Sequence, residues 1–410
     1  MIERTIERII RESVTQWPVT LITGARQVGK STLCGILKDD LDYNYVSLDD
    51  PIKRSLAVSD PAMFLMLHPC PLIIEEVQYA PELFDHIEHI VNERKFGKEN
   101  NRGMFIITGS QAYSLMENVT QSLAGRVNII NMSPLSMSEI HSRKEEPFTI
   151  DIRKIAERTS KYRIGPRELH EAIVRGMYPE LHDDPKKDTE TFYRNYVNTY
   201  LEKDVSMLIN LQDKTKFTNF LSILASLTGQ ELVYETIAKA VGVTSKTLRS
   251  WVSVLVTGHI IRLVQPFYDT SMIKRIVKHP KIYFLDTGLA CYLMGLYDAE
   301  TMGKGIYKGR LVETYIVNEI ITSYDNNAVG CNFSYYRDNN GNEIDLVMLR
   351  NAELQLIECK SGVSFSKNDV KSFSQMKSSN YRVTGSCIIC NTDSIYPVSE
   401  NVQAVPMTSV

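Results

Sequence analysis

The chain has 410 residues, 43% hydrophobic and 23% charged, with a formal net charge of −3. That length exceeds one compact core and predicts roughly two to four domains, and the near-neutral balance confines any nucleic-acid surface to a local patch. No stretch approaches the ~20 apolar residues of a membrane helix, and seven cysteines in a chain this long do not make a disulfide framework, so a cytoplasmic protein with no membrane partner is expected.

The opening MIERTIERIIRES is too dense in charge for a secretory signal, and Ile2, Ile6, Ile9 and Ile10 fall at the spacing of a short amphipathic helix. VTLITGARQVGKSTL follows, and its Val19, Leu21 and Ile22 suit a buried strand. Gly24, Ala25, Arg26, Gln27, Val28, Gly29, Lys30 and Ser31 then fit GxxxxGK(S/T), and LCGILKDDL continues with helical spacing. Strand, glycine loop and helix are in the order of a P-loop. Glycines let backbone N–H groups converge on phosphate oxygens without a Cβ in the way, and the helix N-terminus adds favourable partial charge. The expected ligands are ATP and Mg²⁺, cradled by residues 24–32 and hence also Thr32. Lys30 is expected on the β- and γ-phosphates and Ser31 on the metal.

VSLDDP (46–51) reads as a strand and turn, with Asp50 an N-cap and Pro51 at N1. PLIIEEVQ (71–78) is an apolar strand ending in Glu75-Glu76. Such a strand end supplies the acids a P-loop needs: Glu75 for magnesium's water shell, Glu76 to orient the attacking water. GMFIITGSQ (103–111) is a third strand; its Thr108 or Ser110 would lie beside the γ-phosphate, unless the end is a plain Gly-Ser turn. Arg126, in SLAGR, is either an exposed arginine or an arginine finger that completes hydrolysis in a neighbouring subunit.

Residues 141–205 mix charge, aromatics and helix formers and read as a helical connector or lid, with HDDPKKD (182–188) an exposed turn. In KFTNFLSILASLTGQ, Phe217, Phe220, Leu221, Leu224 and Leu227 recur at helical spacing. YETIAKAVGV, stopped by Gly242, and TSKTLRSWVSVLVTG then give helix, tight turn, helix, and a strand from Ile260 could open a wing. In a winged helix the second helix, about Ser245 to Val256, enters a major groove. Lys246 and Arg249 would face DNA there, joined by Lys274 and Arg275 on the wing. Residues 206–290 hold about twice as many Lys and Arg as Asp and Glu. Protein docking is the other use of such a module.

Near the C-terminus, GNEIDLVML puts Glu343 and Asp345 on one strand face, and LQLIECKSG puts Glu358 and Lys360 on one face. RNAE (350–353) is short enough to join them as a hairpin. With Glu313 from the preceding GRLVETYIVNEI, Asp345, Glu358 and Lys360 match in order the core of a PD-(D/E)xK nuclease. There, carboxylates bind Mg²⁺ and the lysine polarises the attacking water. The plainer alternative is a cross-strand ion pair of roughly 0.2–1 kcal/mol. Cys387 and Cys390 form a CxxC inside the apolar SCIIC with no second pair, so two buried thiols are expected rather than zinc.

GARQVGKST, PLIIEEVQYAPELF, FIITGSQAYSLM, SLAGRV and PLSMSEI follow one another as in a large family of bacterial and archaeal AAA-type ATPases with a C-terminal domain of unknown function. YLEKDV (200–205), KHPKIYFLDTGLA and YYRDNNGNEIDLV also resemble that family. The resemblance implies ATP binding and hydrolysis. Two departures stand out: Glu75 where Asp is usual, and Lys203 where Arg is common. The expected architecture is α/β throughout. A P-loop NTPase parallel-sheet domain (1–140) is followed by the helical connector (141–205), a winged-helix domain (206–300) and a nuclease-like α/β domain (301–410). The expected activity is Mg²⁺-dependent ATP hydrolysis coupled to DNA binding or processing, with a homo-oligomer or protein partner as a further expectation. The alternatives are a non-catalytic ATP-dependent switch and an ATP-gated nuclease.

Overall fold

A computed structural model describes residues 2–109, 122–162, 164–201, 214–269, 279–376 and 380–410. They fall into two compact units. The first comprises Met1–Lys144, Tyr178–Asp183 and Thr257–Ile260; the second comprises Glu145–Met177, Asp184–Val256 and Ile261–Val410.

The first unit is built on a five-stranded sheet of β1 (Val19–Thr23), β2 (Asn44–Ser47), β3 (Leu72–Glu75), β4 (Phe105–Gly109) and β5 (Val127–Asn131). The order is β2-β3-β4-β1-β5 and every pairing is parallel. All residues of β1, β3 and β4 are buried, as continuous apolar runs require when both sheet faces are covered. Because β4 lies between β1 and β3, the carboxyl ends of these three strands share one edge. That edge is where open α/β sheets bind ligands. Asp50 caps the helix Pro51–Ser59 as its sequence predicts, accepting from the Ile52 N–H at 2.9 Å.

The helix Ile6–Gln16 buries Ile6, Ile9 and Ile10 in this unit. Just ahead of it, Arg4 is buried too. Its guanidinium donates to Glu139 Oε1 at 3.1 Å, to the Val28 carbonyl at 2.6 Å and to the Ser133 carbonyl at 2.7 Å. Glu139 also closes a capping box with Ser136. One side chain therefore ties the start of the chain to the glycine loop and to the segment after β5.

The second unit carries a nine-stranded mixed sheet. Its strands are β6 (Gln230–Glu231), β7 (Ile261–Pro266), β8 (Lys281–Phe284), β9 (Asn332–Arg337), β10 (Glu343–Arg350), β11 (Glu353–Lys360), β12 (Arg382–Cys390), β13 (Tyr396–Ser399) and β14 (Val402–Pro406). The order is β13-β14-β12-β11-β10-β9-β7-β8-β6. β10 and β11 form the expected hairpin through Asn351 and Ala352, both with positive φ, the geometry of a tight two-residue turn. The helix Lys308–Asp325 is buried at every residue from Leu311 to Tyr324. A helix enclosed on all sides belongs to an interior, not a surface.

The helices Lys214–Ser226, Tyr234–Val241 and Ser245–Thr257 pack around Trp251, whose ring centroid lies 5.2 Å from that of Phe217 and 5.3 Å from that of Phe220. β7 and β8 pair antiparallel, and β6 adds to β8. β7 also pairs with β9 at Gln265 and Pro266, so the strands of residues 206–300 and those of 301–410 belong to one sheet. Cys387 and Cys390 are buried free thiols on β12, as expected.

The Arg4 hook yields a stability test. Arg4→Met leaves the Glu139 carboxylate buried without its guanidinium, a class of change that costs about 3–5 kcal/mol. The protein has two tryptophans, Trp17 in the first unit and Trp251 in the second, so Trp251→Phe leaves Trp17 as reporter. Urea unfolding followed at Trp17 is expected to show that loss, with part recovered by adding Glu139→Gln. A loss below about 1 kcal/mol, the range of an exposed pair, would contradict it.

Candidate functional site

β1 leads into the helix Lys30–Leu41 through a loop that only glycine suits at two points. Gly24 has φ +152°, and a Cβ there would stand 2.3 Å from the Met132 carbonyl oxygen. Gly29, the helix N-cap, has φ +97°. Both backbones are strained for any L side chain. The exposed hydroxyls of Ser31 and Thr32 open the first turn of the helix, where N–H groups and the helix dipole favour an anion.

Lys30 lies folded back on this loop. Its Nζ donates to the carbonyls of Gly24 and Ala25, each at 2.8 Å, and the residue is 6% exposed. Burial pushes the ammonium down to about 8, against the opposing charge of Glu76. Both hydrogen-bond partners are neutral, so the cation is held in place but not neutralised.

β3 brings Glu75 to the same edge. Its Oε2 accepts from the Tyr45 hydroxyl, while Oε1 is buried with no hydrogen-bond partner among the described residues. A buried acceptor without a donor is costly. Glu75 and the Ser31 hydroxyl are therefore a fitting donor set for a hard divalent cation and its water. Glu76 takes a left-handed conformation (φ +54°), donates its N–H to Thr108 Oγ1 at 3.4 Å and accepts from the Gln78 amide. Thr108 thus sits at the end of β4 beside the acidic pair; Ser110 lies outside the described residues. Arg126 precedes β5, at the amino-terminal edge of the sheet, and so faces away from the phosphate loop of its own chain. It pairs with Glu88 at 3.2 Å and donates to Asn92 Oδ1 at 3.0 Å.

The second unit brings Glu313, Asp345, Glu358 and Lys360 together as the hairpin predicts. The register Leu346↔Ile357 sets Asp345 opposite Glu358, and Asp345 Oδ2 accepts the Cys359 N–H at 2.9 Å. Lys360 Nζ lies 2.6 Å from Glu358 Oε1. At the centre stands a residue that sequence reasoning passed over. Lys281, on β8, is 1% exposed. Its Nζ lies 2.9 Å from Glu313 Oε1, 2.6 Å from Glu343 Oε1 and 3.2 Å from Asp345 Oδ1. Burial alone would lower its pKa, but the charges of Glu313, Tyr283, Asp345 and Glu343 hold it well above the usual lysine value. Burial, and then the neighbouring Asp345, push the carboxyls of Glu313 and Glu358 upward. The cluster is thus short of positive charge and keeps every proton it can. Among the described residues no group of three or more His, Cys, Asp or Glu is arranged to hold a metal ion. The available signal was a lysine opening the wholly buried strand KIYF, because a buried ammonium requires a buried counter-charge.

On the helix Ser245–Thr257, Lys246 and Arg249 are exposed. Arg249 stacks over the Tyr234 ring at 4.0 Å and pairs with Glu235 at 3.5 Å. Lys274 and Arg275 lie outside the described residues, as does Lys203.

Residues 16–141 match the model of an AAA domain, residues 166–300 that of a domain of unknown function (DUF8612) and residues 308–410 that of another (DUF4143). The parallel sheet and glycine loop of the first unit agree with the AAA match. Uncharacterised proteins of Mycobacterium bovis and Mycobacterium tuberculosis are each 23% identical over 404 residues, covering 98% of this chain and 82% of theirs. A Walker-type ATPase of Pyrococcus abyssi is 15% identical, with a TM-score of 0.44 over 70% of this chain and 94% of its own. Among the described residues no helix is long and apolar enough to cross a membrane.

Lys30 sets a pH signature. Its folded pKa lies below that of the unfolded chain, so between about 8 and the ordinary lysine value the empty loop has shed a proton. A bound polyphosphate supplies the missing counter-charge and restores it. Calorimetry of nucleotide binding in that window, in buffers of different ionisation enthalpy, is expected to show proton uptake in the native chain and none in Lys30→Met. Equal heats in all buffers would contradict it.

Proposed function

We propose that the AAA-type domain binds ATP with Mg²⁺ and hydrolyses it, and that the helix-turn-helix of the second unit couples turnover to DNA. One observation supports the first part most: the buried Glu75 carboxylate keeps an oxygen without a donor at the sheet edge that carries the phosphate loop. Ser31 and Glu75 would hold Mg²⁺, which when bound supplies positive charge to the phosphate oxygens. Lys30 would exchange the carbonyls of Gly24 and Ala25 for β- and γ-phosphate oxygens. Glu76 would orient the attacking water and take its proton, with its backbone fixed by Thr108. Arg126 would act only across a subunit boundary, after leaving Glu88.

DNA coupling is supported by element order. Helix, strand, helix, helix and two strands, with β6, β8 and β7 paired, is the layout of a winged helix, and Lys246 is exposed near the start of its second turn-flanking helix. Arg249 would have to leave Glu235 to reach a phosphate. A non-catalytic switch is the competing reading, favoured by the Gln78 amide that already occupies the Glu76 carboxylate. A cytoplasmic setting and self-association complete the proposal.

ATP turnover by the full chain with Mg²⁺, with and without duplex DNA, separates these readings. Hydrolysis is expected in the native chain, with a fall of about a hundredfold or more in Lys30→Ala and Glu76→Gln. Stimulation by DNA is expected to vanish when Lys246 and Arg249 are both changed to Glu. A native rate no higher than that of the two variants leaves the switch. A charge-reversed chain that still responds fully to DNA removes the helix-turn-helix from the DNA contact.

A further inference from the structure

The acidic cluster of the second unit gathers carboxylates, the ligand type a hard divalent cation takes, and already contains a cation. Glu313 reaches it from the enclosed helix Lys308–Asp325, Glu343 and Asp345 from β10, and Glu358 from β11. The Nζ of Lys281 lies within 2.6–3.2 Å of three of these carboxylates. The Tyr283 hydroxyl, two residues along the same strand, donates to Glu313 Oε1 at 2.7 Å. Cys359 N–H occupies the second oxygen of Asp345. Glu313 Oε1, Glu343 Oε1 and both oxygens of Asp345 are therefore spent on an ammonium, a phenol and an amide, and Glu358 Oε1 on Lys360. Glu358 Oε2 alone stays buried without a hydrogen-bond partner among the described residues.

We propose that Lys281 supplies from within the chain the positive charge that a divalent cation supplies among clustered carboxylates, so that the native cluster takes up no metal. Two features argue that the ammonium is built in. It is supplied by a strand, not a loop: β8 is hydrogen-bonded to both β6 and β7, so the Lys281 backbone is fixed on either side. Its side chain is almost wholly buried, so departure would leave an aliphatic stem and several carboxylates to be rehydrated together. The carboxylates then act as a structural lock between helix, β8, β10 and β11. Metal-dependent cutting by this unit is lost as a consequence. This inference does not depend on the P-loop binding ATP.

The test uses the full chain without nucleotide. Mn²⁺ uptake is followed by electron paramagnetic resonance, and the quantity read is the uptake that Asp345→Asn abolishes. The native chain is expected to show none, and Lys281→Met, which opens the cage while keeping the apolar stem, is expected to gain a single Mn²⁺ ion. Asp345-dependent uptake by the native chain would overturn the proposal, as would a folded Lys281→Met chain that gains no ion. Should Lys281→Met not fold, hydroxyl-radical cleavage directed by added Fe²⁺ decides the matter on the native chain alone. Fragments ending near Glu313, Asp345 or Glu358 would overturn the proposal; their absence, against cleavage by free chelated iron as control, supports it.

Discussion

A buried ammonium group has to be met by oxygen, and the two units answer that constraint in opposite ways. Lys30 is met by two neutral carbonyls of its own loop. Lys281 is met by carboxylates from a helix and from β10. The first arrangement puts no counter-charge in contact with the ammonium, and burial outweighs the attraction of nearby Glu76 and lowers the affinity of the group for its proton. The second more than balances the charge, and the group holds its proton beyond the usual lysine range. An under-compensated cation at an open sheet edge is ready for an anion. An over-compensated one in a closed cluster is structure. The same residue type therefore marks a candidate ligand site in one unit and the absence of a vacancy in the other.

Sheet topology turns these local facts into a site. Because β4 runs between β1 and β3, Thr108 reaches Glu76 while the glycine loop stands one strand away. The loop itself is braced from behind, since Arg4 holds the Val28 carbonyl while its other contacts lie after β5. A short N-terminal segment that touches no ligand thus helps define the cradle. In the second unit the continuity of the sheet from β6 through β13 makes β6, β7 and β8 and the strands of the acidic cluster parts of one hydrogen-bonded framework.

Much of this was legible in the amino-acid sequence where one local rule dominates. The P-loop strand, its two glycines and the helix after them follow from backbone sterics. The Asp50 cap and the β10–β11 hairpin follow from turn chemistry, and the convergence of Asp345 with Glu358 follows from the period of a strand. What was not legible depends on partners distant in sequence. Lys281 lies 32 residues from Glu313 and 64 from Asp345, and nothing in KIYFLD names either. Arg4 looks like one more charge on an amphipathic helix until Glu139, 135 residues away, is seen beside it. In the sequence Arg126 reads equally as an exposed arginine or as a finger for a neighbouring subunit. Its position at the amino-terminal edge of the sheet follows only from the direction in which β5 runs.

The central claim is that the loop from Gly24 to Thr32 is a nucleotide site completed by Lys30. Equilibrium binding of a slowly hydrolysed ATP analogue to the purified, folded chain tests it most directly. The account predicts saturable binding of a single nucleotide per chain, abolished by Lys30→Ala and untouched by Asp345→Asn. A folded native chain that takes up no nucleotide, or one whose binding survives loss of Lys30 unchanged, would contradict it.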